Sequence, residues 1–129
     1  MEVLLKERYV TVTYNEEKKC LIQTWNSFCS SDEFRAAQKK TVELFVKKGC
    51  KNFITDTTNA GLLKKEDTDW VAQFITPLLI KAGMSNLNMV LPSSAFTKMT
   101  VMNLEKAEKD TNQSAPKYFP NLAKALESL

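Results

Sequence analysis

The chain has 129 residues, of which 43% are hydrophobic and 26% charged, a composition that excludes a disordered or fibrous protein. Eighteen basic residues against fifteen acidic ones give a formal charge of +3, and because the two signs are interleaved, no nucleic-acid-binding surface is indicated. Histidine, the residue most used for proton transfer near neutral pH and the commonest metal ligand, is absent, so neither a metal nor a cofactor is predicted.

The start of the chain and the cysteines both favour the cytoplasm. Residues 1–6 hold too few apolar side chains for a secretory signal peptide, and the apolar stretch at 74–80 is far too short to span a membrane. Cys20, Cys29 and Cys50 are odd in number and fit neither a disulfide framework nor a CxxC pair. We therefore expect one cytoplasmic domain, residues 1–129, with reduced thiols and no membrane insertion.

The first half of the chain predicts a hairpin followed by a long helix. Residues 9–14 and 19–25 are rich in β-branched and aromatic residues and are separated by a polar turn, which is typical of a β-hairpin. Ser30 with Glu33 three positions later makes a capping box. Apolar residues at helical spacing then continue toward Gly49, a natural residue for ending a helix.

The second half alternates short strands with helices. Strands bounded by turn residues are predicted over 51–56, 87–92 and 117–119. Helices are predicted from near Glu66 to about Ala82, from Ser93 or Ser94 to about Lys109, and behind the N-cap Asn121. The order, ββαβαβα(β)α, predicts an α/β protein with a mixed four- to five-stranded sheet and crossover helices packed around it.

A family resemblance is carried by residues spread along these elements: Thr24–Trp25, Phe34, Asp56, Glu66–Asp67 with Trp70, Pro77, Ala82–Gly83, Tyr118–Phe119 and Ala125–Leu126. Together they resemble the SpoIIAA-like family of bacterial proteins, which is related in fold to STAS domains and to the CRAL-TRIO lipid carriers. Two segments depart from that pattern. Lys64–Lys65 stands where similar proteins often have a serine or threonine as N-cap, and Glu127–Ser128–Leu129 stands where they often place a tryptophan.

The preferred hypothesis is a non-enzymatic binding or regulatory module of the SpoIIAA-like type, which contacts a protein partner through the 56–65 loop or the second helix. In STAS-type antagonists the loop after this strand carries the phosphorylatable residue. The resemblance therefore implies a partner loop at Asp56, Thr57, Thr58 and Asn59, with the two threonines as candidate phosphoacceptors. Alternatively, these side chains only satisfy the backbone of a turn.

The second helix carries an apolar face wider than one side of a sheet requires. Its members are Trp70, Val71, Phe74, Ile75, Leu78, Leu79 and Ala82. Either the helix is deeply buried or one flank meets a second copy of the chain, in which case Val71, Ile75 and Leu79 are the interface candidates of a homodimer. We also expect Pro77 to kink this helix.

Two further hypotheses assign the chain to other functional classes, a ligand carrier and an enzyme. The CRAL-TRIO kinship suggests a carrier of a small apolar or lipid ligand, with Trp25, Trp70, Met99 and Met102 as pocket candidates, although core packing is the ordinary role of such tryptophans. The third hypothesis is an enzyme that uses carboxylates or Cys29. No converging pair of such groups is predicted, so no catalytic residue is assigned.

Overall fold

The computed structural model describes residues 1–61, 64–92 and 116–129. Within them, six strands form one mixed sheet in sequential order: β1 (Glu2–Lys6), β2 (Val10–Asn15), β3 (Cys20–Trp25), β4 (Asn52–Asp56), β5 (Asn86–Val90) and β6 (Lys117–Phe119). Strands β1 to β3 pair antiparallel, whereas β3 to β6 pair in parallel. The predicted α/β class with a mixed sheet is confirmed.

The prediction of four or five strands is wrong because it omits β1. Between Val3 and Leu5 the pairing register against β2 shifts, which is a β-bulge. Leu4 and Leu5 both pack against the core as a result. This breaks the alternation of apolar and polar residues by which a half-buried strand is recognised in a sequence.

The first helix, α1 (Ser31–Lys48), begins and ends as predicted. Ser30 accepts a hydrogen bond from the Glu33 backbone, and the Glu33 carboxylate accepts one from the Ser30 backbone, which completes the capping box. Gly49 takes the left-handed conformation at φ 62°, which favours glycine, and its N–H donates to the carbonyl groups of the last turn.

The second helix consists of three consecutive segments: α2 (Lys65–Trp70), a π-helical turn (Val71–Ile75) and α3 (Thr76–Lys81). Pro77 explains the turn in the middle. Proline has no N–H to donate to the Gln73 carbonyl, and its ring clashes with that carbonyl in a regular α-helix. The chain widens instead, so that the Thr76 N–H donates to the Val71 carbonyl.

Helices cover both faces of the sheet. On one face, α1 and the second helix enclose a core whose buried members include Trp25, Phe45 and Phe53. On the other face, the last helix, α4 (Leu122–Glu127), packs Ala125 against Ile54 and its neighbours. Asn121 caps α4 as predicted. The helix predicted from Ser93 or Ser94 to Lys109 lies outside the described residues.

A buried polar network, which no motif in the sequence indicates, joins α1 to the sheet. The Gln23 amide nitrogen donates to Gln38 at 3.1 Å and to the Thr41 hydroxyl at 2.8 Å. Its oxygen accepts from the Trp25 indole at 3.1 Å and from the Thr55 hydroxyl at 2.9 Å. Because every hydrogen-bonding group of this amide has a partner, the network stabilises one arrangement of helix on sheet.

Candidate functional site

The turn after β4 places the predicted partner-loop residues at the carboxyl edge of the parallel strands. The Asp56 carboxylate accepts from the Thr58 backbone N–H at 3.0 Å, and the Thr57 hydroxyl donates to the Val90 carbonyl at 2.9 Å. Thr58 and Asn59 are exposed. Asp56 and Thr57 therefore hold the turn against β5, whereas Thr58 and Asn59 face solvent.

A buried carboxylate joins the starts of α1 and the second helix. Asp67 accepts from the Ser31 hydroxyl at 2.8 Å and from Arg35 Nε at 3.1 Å, and its side chain is almost fully buried. The hydrogen bond from Ser31, followed by that from Arg35 and the Arg35 charge, lowers the pKa of Asp67 below its ordinary value. The carboxylate therefore stays ionised near neutral pH and fixes the second helix against α1.

The two tryptophans occupy different environments. Trp25 is 1% exposed, stacks on Phe34 with 5.0 Å between ring centres, and donates its indole N–H to Gln23. It belongs to the hydrophobic core, and its role as a pocket candidate stays a prediction. Trp70 is only partly buried and lies 6.4 Å from the Phe74 ring. The other pocket candidates, Met99 and Met102, lie outside the described residues.

The residues predicted to meet a second copy lie along the inner side of the second helix. Ile75 and Leu79 are 3% and 2% exposed and belong to the core, and Val71 is partly buried against it. Ile75 and Leu79 are therefore covered within the monomer, whereas Val71 keeps part of its surface exposed. The sequence pattern alone does not set which row of the wide apolar face turns inward, because the π-helical turn changes the angular position of the residues after it.

Trp70, Phe74 and Leu78 form an apolar row on the second helix that is partly buried at Trp70 and exposed at the other two, and we call it the outer row. Phe74 is 57% exposed and Leu78 49% exposed, although both are large and apolar. Arg35 holds Trp70 in place at the beginning of the row, because its guanidinium lies over the indole ring, 5.0 Å from the ring centre. Ile80 is 58% exposed on the same helix but lies about 200° around the axis from Leu78, so it is separate from the row.

The π-helical turn between α2 and α3 limits how far the outer row drifts around the helix axis. Steps of four residues advance by about 400° in an α-helix, so such a row drifts around the axis by roughly 40° per step. A π-helix holds more residues per turn, so each residue advances by a smaller angle and the drift of the row around the axis is reduced. Asp67, Ile75 and Leu79 consequently stay buried along one side, and Phe74 and Leu78 stay exposed along another.

Cys29 lacks the surroundings of a reactive thiol. It is half-buried between β3 and α1, and burial, followed by the nearby Glu33 carboxylate, raises its pKa. Arg8 acts in the opposite direction but does not outweigh these effects. The thiol is therefore protonated near neutral pH, the form that is a poor nucleophile.

Within the described residues, neither the comparisons with known proteins nor the two features considered next, metal-ligand clusters and membrane-spanning helices, add a further candidate site. Neither the protein-family models nor the curated proteins contain a match to this sequence. Over residues 1–61, 64–92 and 116–129, no three potential ligand residues come together to hold a metal ion. In the same ranges, no helix is both long and apolar enough to cross a membrane. The outer row and the Thr58–Asn59 turn are the features on which a function can be argued.

Proposed function

We propose that the chain is a non-enzymatic binding or regulatory module that contacts a protein partner through the outer row of its second helix. One observation carries the proposal: Phe74 and Leu78 stay about half exposed on a helix whose neighbouring row, Ile75 and Leu79, lies in the core. Aromatic and large aliphatic side chains that extend from a rigid surface are the usual anchors of protein interfaces. Lone exposed apolar residues are common, whereas a contiguous row marks a contact surface.

The outer row is held in place before any partner arrives. Ile75 and Leu79 hold the helix in the core along the neighbouring row, and Asp67 fixes its start to Ser31 and Arg35. Arg35 also covers part of the Trp70 ring. A pre-organised surface loses little conformational entropy on binding, which favours its use as a contact site.

The turn after β4 supplies a candidate for regulation within the same proposal. If the kinship with SpoIIAA-like and STAS proteins holds, a phosphate on this turn would switch partner binding. The Thr57 hydroxyl is engaged with β5, whereas the Thr58 side chain is exposed. Thr58 is therefore the better placed phosphoacceptor of the two.

Site-specific photo-crosslinking tests the proposal. A photoreactive amino acid replaces Leu78 in one variant and Ile80 in a matched control, since both side chains are about half exposed on the same helix. We expect a protein adduct from position 78 in the cells that make the chain, and a much weaker one from position 80. Equal adducts from both positions, or none from position 78, would overturn the proposal.

A further inference from the structure

A second row of side chains lies beside the outer row on the second helix, and it is polar. Asp69, Gln73, Pro77 and Lys81 follow one another at intervals of four residues, and all four are exposed. The acidic residue stands at the beginning of this row and the basic residue at its end. Two such helices laid antiparallel would bring opposite charges together at both ends of the contact.

From this arrangement, which rests on the proposed function of the outer row, we infer that the partner is a second copy of the chain. The two second helices lie antiparallel across a two-fold axis that passes near Phe74. Trp70 and Leu78 stand four residues to either side of Phe74, so each tryptophan meets the leucine of the other copy. Phe74 meets its own counterpart, as an isologous interface requires.

The charged residues fit the same axis. Asp69 and Lys81 have their midpoint at position 75, one residue from the midpoint of the apolar row, so each Lys81 lies two residues, or roughly 3 Å along the axis, out of line with the Asp69 of the other copy. The flexible lysine side chain can span that offset. Asp69 already pairs with Lys65 at 3.6 Å, but both side chains are more than half exposed, so this pair is weak and readily exchanged.

The charges of the second helix disfavour a lipid surface as the partner that covers the outer row. Between Lys65 and Lys81 the helix carries two lysines and three carboxylates, at Glu66, Asp67 and Asp69. A helix that binds anionic membranes carries an excess of basic residues beside its apolar face, which this helix lacks. A mixed but ordered charge pattern is instead suited to a partner with the same pattern reversed.

Charge reversal tests this assembly by sedimentation of the full chain from low to high micromolar concentration. We expect the wild type to dimerise, and either Asp69→Lys or Lys81→Glu alone to raise the dissociation constant about tenfold, because each creates two repulsive contacts across the axis. The double variant Asp69→Lys/Lys81→Glu restores dimerisation, since it only exchanges the two ends. Circular dichroism checks that every variant keeps its helices.

Cysteine crosslinking provides a second measurement that does not depend on the charges. In a Cys29→Ser background, where the remaining thiols are buried, Phe74→Cys weakens the contact but places a thiol on the two-fold axis, so at high micromolar concentration mild oxidation should still trap a covalent dimer, and Ile80→Cys should give none. A wild type that is monomeric at high micromolar concentration, or a double variant no better than the singles, would overturn the inference. If the wild type is a monomer but still crosslinks to another protein from position 78, only the dimer is excluded and the proposed function remains. If it is a monomer and gives no such adduct, both the dimer and the proposed function are excluded.

Discussion

The guanidinium of Arg35 lies 5.0 Å above the Trp70 ring, which links the buried ion pair between α1 and the second helix to the surface of the molecule. The same guanidinium donates to Asp67 at 3.1 Å. Arg35 therefore touches a buried carboxylate on one side and the first side chain of the outer row on the other. The position of that row depends on how firmly the two helices are joined.

Replacing Asp67 by asparagine should lower the free energy of unfolding by about 1 to 2 kcal/mol near neutral pH, because two charge-assisted hydrogen bonds at an almost buried site are weakened. The folded-state pKa of Asp67 lies below its ordinary value of 3.8. The stabilisation is therefore fully present above that value and is lost as the pH falls through the lower, folded-state pKa.

Urea unfolding of wild type and Asp67→Asn at several pH values measures this effect. The difference between the two should be constant from neutral pH down to about pH 5 and should shrink at lower pH. Glu66→Gln is the matched control, because that carboxylate is exposed directly before Asp67 on the same helix. A difference that grows on acidification would contradict the assigned role of Asp67.

Replacing Gln23 by alanine should destabilise the fold by about 3 kcal/mol or more, since it leaves the Trp25 indole and three other buried polar groups without their partner and also creates a cavity. Gln73→Ala, an exposed glutamine to alanine exchange in the second helix, should change stability by less than about 0.5 kcal/mol. Thermal or urea unfolding measures both variants. Similar effects from the two would show that the network contributes little.

The three thiols should differ in their access to a thiol reagent. Burial raises the pKa of Cys20 to about 12 and that of Cys50 to about 11, whereas Cys29 is only half-buried. In the native protein Cys29 should react first and slowly, and Cys20 and Cys50 should react only on unfolding. Titration with a chromogenic disulfide, with and without denaturant, tests this order. Fast reaction of two or three native thiols would contradict it.

The two threonines of the turn after β4 should respond differently to the loss of their hydroxyl groups. Thr57→Val removes the hydrogen bond to the Val90 carbonyl and should cost about 1 kcal/mol of stability. Thr58→Val should be nearly neutral, because that side chain is exposed. If the protein is phosphorylated in cells, peptide mass spectrometry should place the phosphate on Thr58. Phosphate on Thr57 would show that the turn opens from β5.

Local signals in the sequence predict much of the fold. The capping box of Ser30 and Glu33, the left-handed Gly49 and the N-cap Asn121 each depend on residues close together in the chain, so their interactions can be recognised without knowledge of the fold. Lys64, which has no side chain suited to capping, stands at the start of α2, and no side-chain hydrogen bond caps that start.

What the sequence does not predict depends on tertiary contacts. Strand β1 escapes prediction because its bulge turns Leu4 and Leu5 to the same core. The side of the second helix that faces the core depends on the position of the π-helical turn that accommodates Pro77. In the structure Ile75 faces the core and Phe74 faces solvent. The candidate site is therefore on the predicted helix but on a different row from the predicted one.

Native mass spectrometry of the freshly purified chain, beside Phe74→Ser and the control Ile80→Ser, tests whether the outer row is where this chain contacts protein. We expect a bare dimer mass for the wild type and for Ile80→Ser, and a bare monomer mass for Phe74→Ser. A wild-type monomer that carries a small-molecule mass, retained in Phe74→Ser, would contradict the claim and favour the carrier of an apolar ligand.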